Sequence, residues 1–545
     1  MKLNMIEMNL PTTISHPPET VDQSEIGNPP SPRLWRTGRQ SEISARHYHT
    51  LLEQHYAFLI PPGARVLEVG CGFGDLLAAV RPGFGVGIDF SAELIKEARR
   101  RHPGLRFIVG EGEGSAGTLR RQGYGGQARS PYLGNGEGLA GGSPLCYLGP
   151  PPVKFPTGVG EGSPDAESGS PYRDEKFDYI ILSDLVNDLK DVQTLFDNLR
   201  ACAHPGTRLV LNFFNTLWRP ILAMAEFIGQ KTRTPPQNWL SLDDVRNLLH
   251  LSGWQVLKDD ARILWPLNTP LLSGFLNRWL APLLRHLCLT IFMVARLRPA
   301  FPPNRHLKCS VIIPARNEAG NVEDAVKRLP ELGAATEIIF VEGHSRDNTW
   351  EVLQRLPSKY PERAIKVLKQ KSNGKGGAVR EGFAQATGDI LFILDADLTV
   401  APEELTKFYE AVRSGTAEFV NGVRLVYPME NEAMRFLNMV ANKFFGMAFS
   451  WLLGHSIKDT LCGTKVLSRA HYEMIAQNRG YFGEFDPFGD FDLLFGAAKL
   501  NLKIVDLPIR YQARSYGETN IQRWRHGWLL LRMTLFAARR VKFIA

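Results

Sequence analysis

The sequence predicts two successive α/β domains, each a three-layer arrangement with a β-sheet between helices. Short apolar runs that fit buried strands alternate with helical patterns over residues 46–260, and the same alternation begins again at residue 307. The length of 545 residues also exceeds what one domain usually contains. In both halves, glycine-rich or polar turns follow the apolar runs, which is where α/β domains place their ligand sites.

Composition limits the classes of function. The net charge of +8 suits an anionic partner, such as a membrane surface or a phosphorylated substrate, but also an ordinary basic surface. The six cysteines form no CxxC pair, so neither a zinc site nor a disulfide framework is predicted, and a reducing compartment is expected. The sequence begins without the apolar core of a signal peptide, and no uncharged apolar run reaches the about 20 residues that span a bilayer.

Four segments lie outside the strand–helix alternation. Residues 1–45 are predicted to be a flexible leader, and residues 111–175 a disordered insertion, because glycine and proline there leave too little apolar area to offset the ordering entropy. Residues 261–306 are expected to form amphipathic linker helices that lie on a membrane or pack between the domains. The basic tail, residues 521–545, suits a helix on an anionic membrane or a packed C-terminal helix.

The first domain contains a glycine turn directly after a predicted strand. In VLEVGCGFG, Glu68 ends the strand and Gly70, Gly72 and Gly74 follow at alternate positions, which lets the backbone approach a cofactor closely. The next predicted strand, GVGIDF, ends in Asp89, whose carboxylate is placed to accept hydrogen bonds from two ribose hydroxyls.

These motifs, with FIVGEGE and FDYIILSDLV, resemble class I S-adenosylmethionine-dependent methyltransferases over residues 46–260, apart from the insertion. The resemblance implies S-adenosylmethionine as the cofactor. It places these residues at the cofactor: Glu68, Gly70 and Gly72 at the methionine end, Asp89 at the ribose and Glu111 near the adenine. Dinucleotide binding is the alternative for the turn, but the GxGxG spacing followed by GIDFS favours the methyl donor. Asp184, Asn187 and Asp188 face the methyl acceptor or form a helix cap and a solvated turn.

The second domain repeats the pattern of polar groups at strand ends. The strand SVII stops at Pro314, and the strand EIIFV ends in the acid Glu342. A glycine-rich turn that opens a helix contains Lys375 and suits a phosphate. The apolar run ILFIL then ends in Asp395 and Asp397, two hard carboxylates that suit Mg²⁺ or Mn²⁺ and, through the metal, a diphosphate.

Residues 307–520 resemble family 2 glycosyltransferases of the GT-A fold, in particular the dolichol-phosphate mannosyltransferase-like group. Both domains would then be Rossmann-like. The resemblance implies that a nucleotide-sugar donor is bound by Pro314, Arg316, Glu318, Glu342, Lys375 and Asp395. It also places Arg424 at the family's GxR position among the substrate-binding residues, and Arg514 in the segment that meets the acceptor phosphate. It also implies a metal on Asp395 and Asp397, with Asp397 acting in catalysis.

The acceptor side is expected near Asp490 and Asp492 of the segment GDFD. For a sugar hydroxyl acceptor, one of them is the candidate general base; for a lipid phosphate the nucleophile is already ionised, and the carboxylates would position the metal or the sugar. An N-cap with a solvated neighbour is the structural alternative. Thr519 and Asn520 stand where the lipid-linked group usually has Ser-Lys, which removes one phosphate-binding cation.

The sequence therefore predicts a bifunctional enzyme, a methyltransferase domain fused to an inverting, metal-dependent glycosyltransferase. The expected partners are a nucleotide-sugar donor, a polyprenyl-phosphate or lipid-linked glycan acceptor and an anionic membrane surface, without nucleic acid. The expected location is cytoplasmic, peripheral on the inner face of the cell membrane. The alternatives are transfer to a non-lipid glycan beside a degenerate methyltransferase domain, a nucleotidyltransferase of the same fold, and a scaffold of two degenerate domains.

Overall fold

The computed structural model describes residues 39–110, 175–189, 191–228, 237–300, 306–424, 436–479, 490–512, 516 and 523–543. The predictions of a leader and of an insertion fall almost wholly outside these residues. The end of the predicted leader, residues 39–45, differs from the prediction, because a helix begins at Arg39.

The strands of the described residues fall into two sheets of seven. The first sheet contains β1 (Arg65–Val69), β2 (Phe84–Asp89), β3 (Arg106–Val109), β4 (Phe177–Leu182), β5 (Ala203–Phe214), β6 (Trp254–Arg262) and β7 (Thr290–Leu297). The second contains β8 (Lys308–Ala315), β9 (Ala335–Glu342), β10 (Ala364–Lys369), β11 (Ile390–Ile393), β12 (Phe419–Val423), β13 (Lys465–Ser468) and β14 (Ile504–Pro508).

The helices flank the two sheets. With the first sheet are α1 (Arg39–Leu59), α2 (Asp75–Ala79), α3 (Ala92–Arg101), α4 (Val192–Leu199), α5 (Arg219–Phe227), α6 (Leu242–Leu251) and α7 (Leu272–Phe275). With the second are α8 (Val322–Arg328), α9 (Thr349–Lys359), α10 (Gly374–Gln385), α11 (Leu405–Arg413), α12 (Phe436–Leu453), α13 (Arg469–Gln477), α14 (Asp490–Lys499) and α15 (Arg523–Val541). The predicted fold class, two Rossmann-like α/β domains, is confirmed.

The first sheet has the strand order β3-β2-β1-β4-β5-β7-β6, with β7 antiparallel to both of its neighbours. The prediction of amphipathic linker helices over residues 261–306 is wrong for residues 290–297, because they form strand β7 between β5 and β6 of the first sheet. Phe292 and Val294 enter one core layer, and Met293 and Ala295 the other. A strand buried on both faces shows no alternation in its sequence, so its apolar run resembles a helical segment.

The second sheet has the order β10-β9-β8-β11-β13-β12-β14, with β13 antiparallel to both neighbours. In each sheet the chain first builds outward on one side and then continues on the other. The two points of reversal lie between β1 and β4 and between β8 and β11. The crevices at the carboxyl ends of these strand pairs are the usual ligand sites of such sheets.

The basic tail packs onto the second domain over most of α15. Leu530, Met533, Ala537 and Ala538 enter the core that α12 and α14 share. The other face of the helix keeps Trp528 and Leu535 exposed. Within the described part of the chain, no helix combines the length and the hydropathy that a membrane span requires.

A buried ion-pair cluster joins the two domains. Arg208 on β5 donates to Glu418 Oε2 at 2.8 Å, and Arg296 on β7 lies 3.3 Å from Glu418 Oε1. Asn501, which follows α14, donates to the carbonyl of Leu59 at the end of α1. These contacts tie the loop before β12 to the first sheet, so the domains share a desolvated interface.

Candidate functional site

The glycine turn after β1 has the backbone that a close-fitting cofactor loop requires. Gly70, Gly72 and Gly74 have φ values of 78°, 54° and 75°, the left-handed region that residues with a Cβ rarely adopt. The Asp89 carboxylate accepts hydrogen bonds from the backbone N–H groups of Gly72 and Ser91, both at 2.9 Å. Asp89 therefore fixes the turn against the end of β2.

Glu68 is a buried carboxyl two residues before this turn. Its Oε2 atom has no hydrogen-bond partner among the described residues. Burial raises the pKa of Glu68 well above its usual value, and Asp89 adds to the rise. An unpartnered buried carboxyl oxygen is costly, so this atom is a candidate partner for a cationic ligand group.

A second polar cluster lies beside the turn, where β4 ends. Asp184 has a left-handed φ of 52°, and its carboxylate accepts hydrogen bonds from the Tyr48 hydroxyl at 3.0 Å and from the Asn212 amide. Tyr56 in turn donates to Asn212 Oδ1 at 2.7 Å. Leu185 packs on Gly70, where a Cβ would lie 3.1 Å from its Cδ1 atom. Strained backbone and buried polar groups thus lie together where β1 and β4 end.

The substitution Asp184→Asn is expected to change the pH dependence of stability. Burial raises the pKa of Asp184 to about 7, whereas the Tyr48 and Asn212 hydrogen bonds act in the opposite direction. The folded state therefore keeps a proton that the unfolded state releases near pH 4, so wild-type stability falls as the pH rises from about 4 to 7. The variant lacks this loss. The unfolding free energy of the variant minus that of the wild type should therefore be about 2 kcal/mol larger at pH 8 than at pH 5.

Urea denaturation at the two pH values measures this difference. The matched control is Asp191→Asn at the N-cap of α4, because hydrogen bonds from Thr194 lower the pKa of Asp191 and both pH values lie above it. Its effect should be equal at pH 5 and pH 8. A pH-independent effect of Asp184→Asn would contradict the assignment.

The second sheet gathers its polar groups where β11 ends. Lys375, in the first turn of α10, lies with its Nζ 2.6 Å from Asp395 Oδ1. Gly463 packs directly on this pair, and a Cβ there would overlap both the Asp395 carboxylate and the Lys375 ammonium. Burial alone would raise the pKa of Asp395, but Lys375 lowers it below the usual value, so the carboxylate stays ionised.

Asp397 lies two residues further along the same loop. Its Oδ1 atom accepts hydrogen bonds from the hydroxyl and the backbone N–H of Thr399, at 2.8 and 3.2 Å. Among the side chains that the structure describes, no three His, Cys, Asp or Glu groups form a metal cluster. Two carboxylates are nevertheless enough protein ligands for Mg²⁺, because this ion keeps waters and substrate phosphates as its other ligands.

The loops after β8 and β9 lie at the same edge of the second sheet as Asp395 and Asp397. Glu342 ends β9, is buried, and accepts a hydrogen bond from the backbone N–H of Ser345. Glu318 accepts from the Asn321 amide at 2.7 Å. Asn317, His344 and Leu398 each have φ between 51° and 58°, so a left-handed residue stands in the loop after each of β8, β9 and β11. Such strain collects at functional sites.

Arg424 is held by a buried carboxylate. Its guanidinium makes two hydrogen bonds to Asp459, at 2.7 and 2.9 Å, and lies 5.2 Å from the ring centroid of Tyr511. Burial would raise the pKa of Asp459, but Arg424 lowers it to about 2. Asn442 on α12 also donates to this carboxylate, which ties the helix to the site.

The predicted acceptor carboxylates are only partly described. The side chain of Asp490, the first residue of α14, lies outside the described residues. Asp492 is buried and accepts a hydrogen bond from Arg479 Nε at 2.7 Å. Arg479 follows α13, so this ion pair joins the ends of two helices that pack together.

Two family models match the chain over the elements that build these crevices. Residues 43–259 match a model described as methyltransferase domain, and residues 310–481 match the model of glycosyl transferase family 2. The chain contains a methyltransferase domain followed by a family 2 glycosyltransferase domain.

Similar proteins share the second of these domain types. A dolichol-phosphate mannosyltransferase of Pyrococcus furiosus is 33% identical over 221 residues, which are 40% of this chain and 60% of that protein. An undecaprenyl-phosphate 4-deoxy-4-formamido-L-arabinose transferase of Pseudomonas aeruginosa is 34% identical over 110 residues, 19% of this chain and 32% of that protein. The chain thus spans less than two thirds of either relative.

Among solved structures, glucosyl-3-phosphoglycerate synthase of Mycobacterium tuberculosis in complex with Mn²⁺, uridine diphosphate and glucosyl-3-phosphoglycerate superposes with a TM-score of 0.32. Its sequence identity is 18%, and the match covers 43% of this chain and 80% of that one.

The structure brings most of the predicted glycosyltransferase residues to one edge of the second sheet. Pro314, Glu318, Glu342, Lys375, Asp395 and Asp397 all lie at the carboxyl ends of β8, β9 and β11 or in the turn that opens α10, and Arg316 is exposed beside Gly343. Arg514 lies outside the described residues, although Gln512 donates to the Thr399 carbonyl and Tyr516 packs on Gly320.

In the methyltransferase domain, Glu68, Gly70, Gly72 and Asp89 assemble at one turn, and Glu111 lies outside the described residues. Sequence reasoning left the role of Asp184 open and missed Tyr48 and Asn212. The partners of Asp184 lie 136 and 28 residues away in the chain, so no local pattern connects them.

Proposed function

We propose that the chain is an inverting hexosyltransferase that moves a sugar from a nucleotide-sugar donor to a polyprenyl phosphate or lipid-linked glycan at the inner face of a cell membrane. The observation that supports this most directly is the loop after β11, where Asp395 pairs with Lys375 and Asp397 follows. The names of the two curated relatives, both transferases named for polyprenyl-type phosphates, support the acceptor class.

The donor diphosphate is assigned to the crevice of β8, β9 and β11. Asp395 and Asp397 would hold Mg²⁺ or Mn²⁺, and such a metal supplies charge stabilisation to the departing diphosphate. Lys375 is already placed beside Asp395 and adds a second positive charge at the opening of α10. Glu342, at the end of the neighbouring strand, is the candidate for contacts to the base of the nucleotide.

The contacts of Asp492 and Arg424 refine the chemistry. Asp492 is paired with Arg479, which fits a positioning role better than proton removal. An acceptor phosphate is already ionised near neutral pH, so this arrangement favours a lipid phosphate over a sugar hydroxyl. Arg424 is neutralised by Asp459, so it is expected to orient the segment with Tyr511 more than to add net charge.

The test is metal-dependent release of nucleotide diphosphate from a panel of nucleotide sugars, with and without polyprenyl phosphate. Release that requires both the metal and the lipid is the expected result. Release that is indifferent to the lipid would replace the acceptor by a glycan. Absence of metal-dependent release and of donor binding across the panel would reject the proposal.

We further propose that the methyltransferase domain binds S-adenosylmethionine. The turn with its left-handed glycines, the carboxylate of Asp89 and the unpartnered Oε2 of Glu68 fit a ligand with a ribose and a cationic amino-acid end. When bound, the cofactor supplies an activated methyl group, and the protein's share is mainly alignment. Asp184 lies beside the turn and is the candidate group that faces the methyl acceptor.

Asp89→Ala is expected to weaken S-adenosylmethionine binding by about 10- to 100-fold, because it frees the N–H of Gly72 as well as the ribose site. Titration calorimetry measures the affinity. The control is Asp75→Ala, because the Asp75 side chain is half exposed and contacts His102 and Arg101. Equal affinity of wild type and Asp89→Ala would refute the placement of the cofactor.

A further inference from the structure

The methyltransferase domain exposes an unusual set of large apolar side chains on α5. Ile221, Met224 and Phe227 recur every third residue and are all exposed, Phe227 by 87%. Residues with this spacing share one face of a helix. Leu222 is the one fully buried residue of this helix, and the face with Ile221, Met224 and Phe227 is turned to solvent.

A second stripe lies in the segment that begins with α7. Exposed apolar residues recur there at every fourth position, with Leu271 exposed by 93%: Leu271, Phe275, Trp279, Leu283 and Leu287. Leu271 adopts a positive φ of 63°, an uncommon conformation for a leucine. A fold that needed these side chains for its own core would bury them.

Hydrogen bonds hold the two stripes next to each other. Trp218, at the start of α5, donates from its indole Nε1 to the Leu287 carbonyl at 2.9 Å, and Asn215 donates to the His286 carbonyl at 2.9 Å. We call the exposed side chains of residues 217–228 and 271–287 together the apolar surface. Clustered exposed apolar side chains of this kind mark interaction surfaces, whereas singly scattered ones need no explanation.

The charges around the apolar surface indicate what covers it. Residues 264–289 contain no aspartate or glutamate, and neither does α15, whereas α5 contributes one acid, Glu226. Residues 264–289 and α15 lie next to each other, because the Trp279 ring contacts Phe543, two residues beyond the end of α15, at 5.0 Å between ring centroids. Arg278 lies 5.5 Å from the Trp279 ring centroid, and Arg539 on α15 is exposed. Large apolar side chains with tryptophan and arginine at their edge are typical of a surface that enters an anionic lipid interface.

We infer that the apolar surface docks on an anionic lipid leaflet, with Phe227, Leu271 and Phe275 entering the boundary between headgroups and acyl chains. The inference deepens the proposed function, on which it rests for a lipid acceptor, and it assigns the membrane contact to the methyltransferase domain. Apolar insertion supplies most of the affinity, and the arginines supply the preference for negative headgroups.

Co-sedimentation with vesicles tests the inference on the full chain. The vesicles consist of phosphatidylcholine alone or of equal parts phosphatidylcholine and phosphatidylglycerol. The test variant is Phe227→Ser with Leu271→Ser, and the control is Leu251→Ser with Met474→Ser, two exposed apolar residues elsewhere. The wild type and the control should bind the mixed vesicles better than vesicles of phosphatidylcholine alone. The affinity of the test variant for the mixed vesicles should be at least about tenfold lower than that of the wild type.

Three results would overturn the inference. The first is equal vesicle binding by the test variant and the wild type, and the second is no binding by the wild type. The third is a wild-type dimer in light scattering that the test variant converts to a monomer, because a second copy would then cover the surface.

Sugar transfer in detergent, with dissolved polyprenyl phosphate, separates this test from that of the proposed function. The test variant should retain wild-type transfer there, because neither substitution lies in the sugar-nucleotide crevice. Vesicle binding without any transfer would reject the proposed function and support the docking surface.

Discussion

Asp397→Ala is expected to lower the rate of sugar transfer by about 10³-fold or more, with the fold intact. The reason is the position of the carboxylate, on the loop after β11 beside the Asp395–Lys375 pair. Removing it takes away one of two protein ligands for the metal that would neutralise the departing diphosphate. Metal-dependent binding of the donor should fall with the rate, and both are measured with the donor that the wild type uses.

The matched control is Asp389→Ala, at the opposite end of the same strand. Asp389 accepts a hydrogen bond from the backbone N–H of Lys308 at 2.9 Å, so its loss costs about 1 kcal/mol of stability but leaves the crevice unchanged. Turnover of this variant should stay within about twofold of wild type, since ordinary hydrogen-bond loss acts on folding alone. Retention of a tenth or more of the activity by folded Asp397→Ala would contradict the metal assignment.

Glu418→Ala is expected to lower the free energy of unfolding by about 3–5 kcal/mol. Glu418 lies between Arg208 and Arg296, and also accepts from the backbone N–H of Lys503 at 2.7 Å. All three charged side chains are buried, so the alanine leaves two guanidinium groups desolvated without their counter-charge. Because the cluster lies between the domains, the first effect should be loss of their contact.

Chemical denaturation measures this cost, and Glu403→Ala is the control. Glu403 also pairs with an arginine, Arg328, at 2.9 Å, but the pair is exposed, so its loss should cost no more than about 1 kcal/mol. Glu418→Gln, which keeps the shape, should lie between alanine and wild type and remains measurable if Glu418→Ala fails to fold. Equal midpoints for Glu418→Gln, Glu403→Ala and wild type would show that the cluster contributes nothing.

The same cluster predicts a dependence on pH. Burial would raise the pKa of Glu418, but Arg208 and Arg296 lower it below the usual value. A depressed pKa means that the stabilisation is complete above the unfolded value of about 4.3 and disappears as the pH falls through the folded value. The gap between wild type and Glu418→Gln should therefore shrink in strongly acidic solution.

The strand ends of both domains were predictable because their information is local. Asp395 and Asp397 directly follow an apolar run, and Gly70 and Gly72 follow another, so the pattern of a strand followed by polar or glycine residues placed them. The same local logic placed Glu342 and Lys375. Parallel strands bring their carboxyl ends to one edge, which is why residues far apart in the chain were expected to share a crevice.

The partners of the charged side chains could not be predicted in this way. Arg424 was expected to bind substrate, and the structure shows its guanidinium paired with Asp459. Arg296 lies in the segment expected to form amphipathic linker helices, on a membrane or between the domains, and it is buried against Glu418 of the other domain. A charged residue in an apolar run has the same local pattern whether it meets lipid headgroups or a buried counter-charge.

The chain's own pattern of apolar runs, glycines and carboxylates was enough to specify two α/β domains and the sheet edges at which the predicted site residues collect. Only tertiary packing decided that Thr290–Leu297 joins the first sheet, that Asp184 meets Tyr48, and that Asp492 faces Arg479. The reason is the range of the forces involved. Strand and helix preference acts over a few neighbouring residues, whereas ion pairs, pKa shifts and domain contacts depend on groups that folding brings together from distant positions.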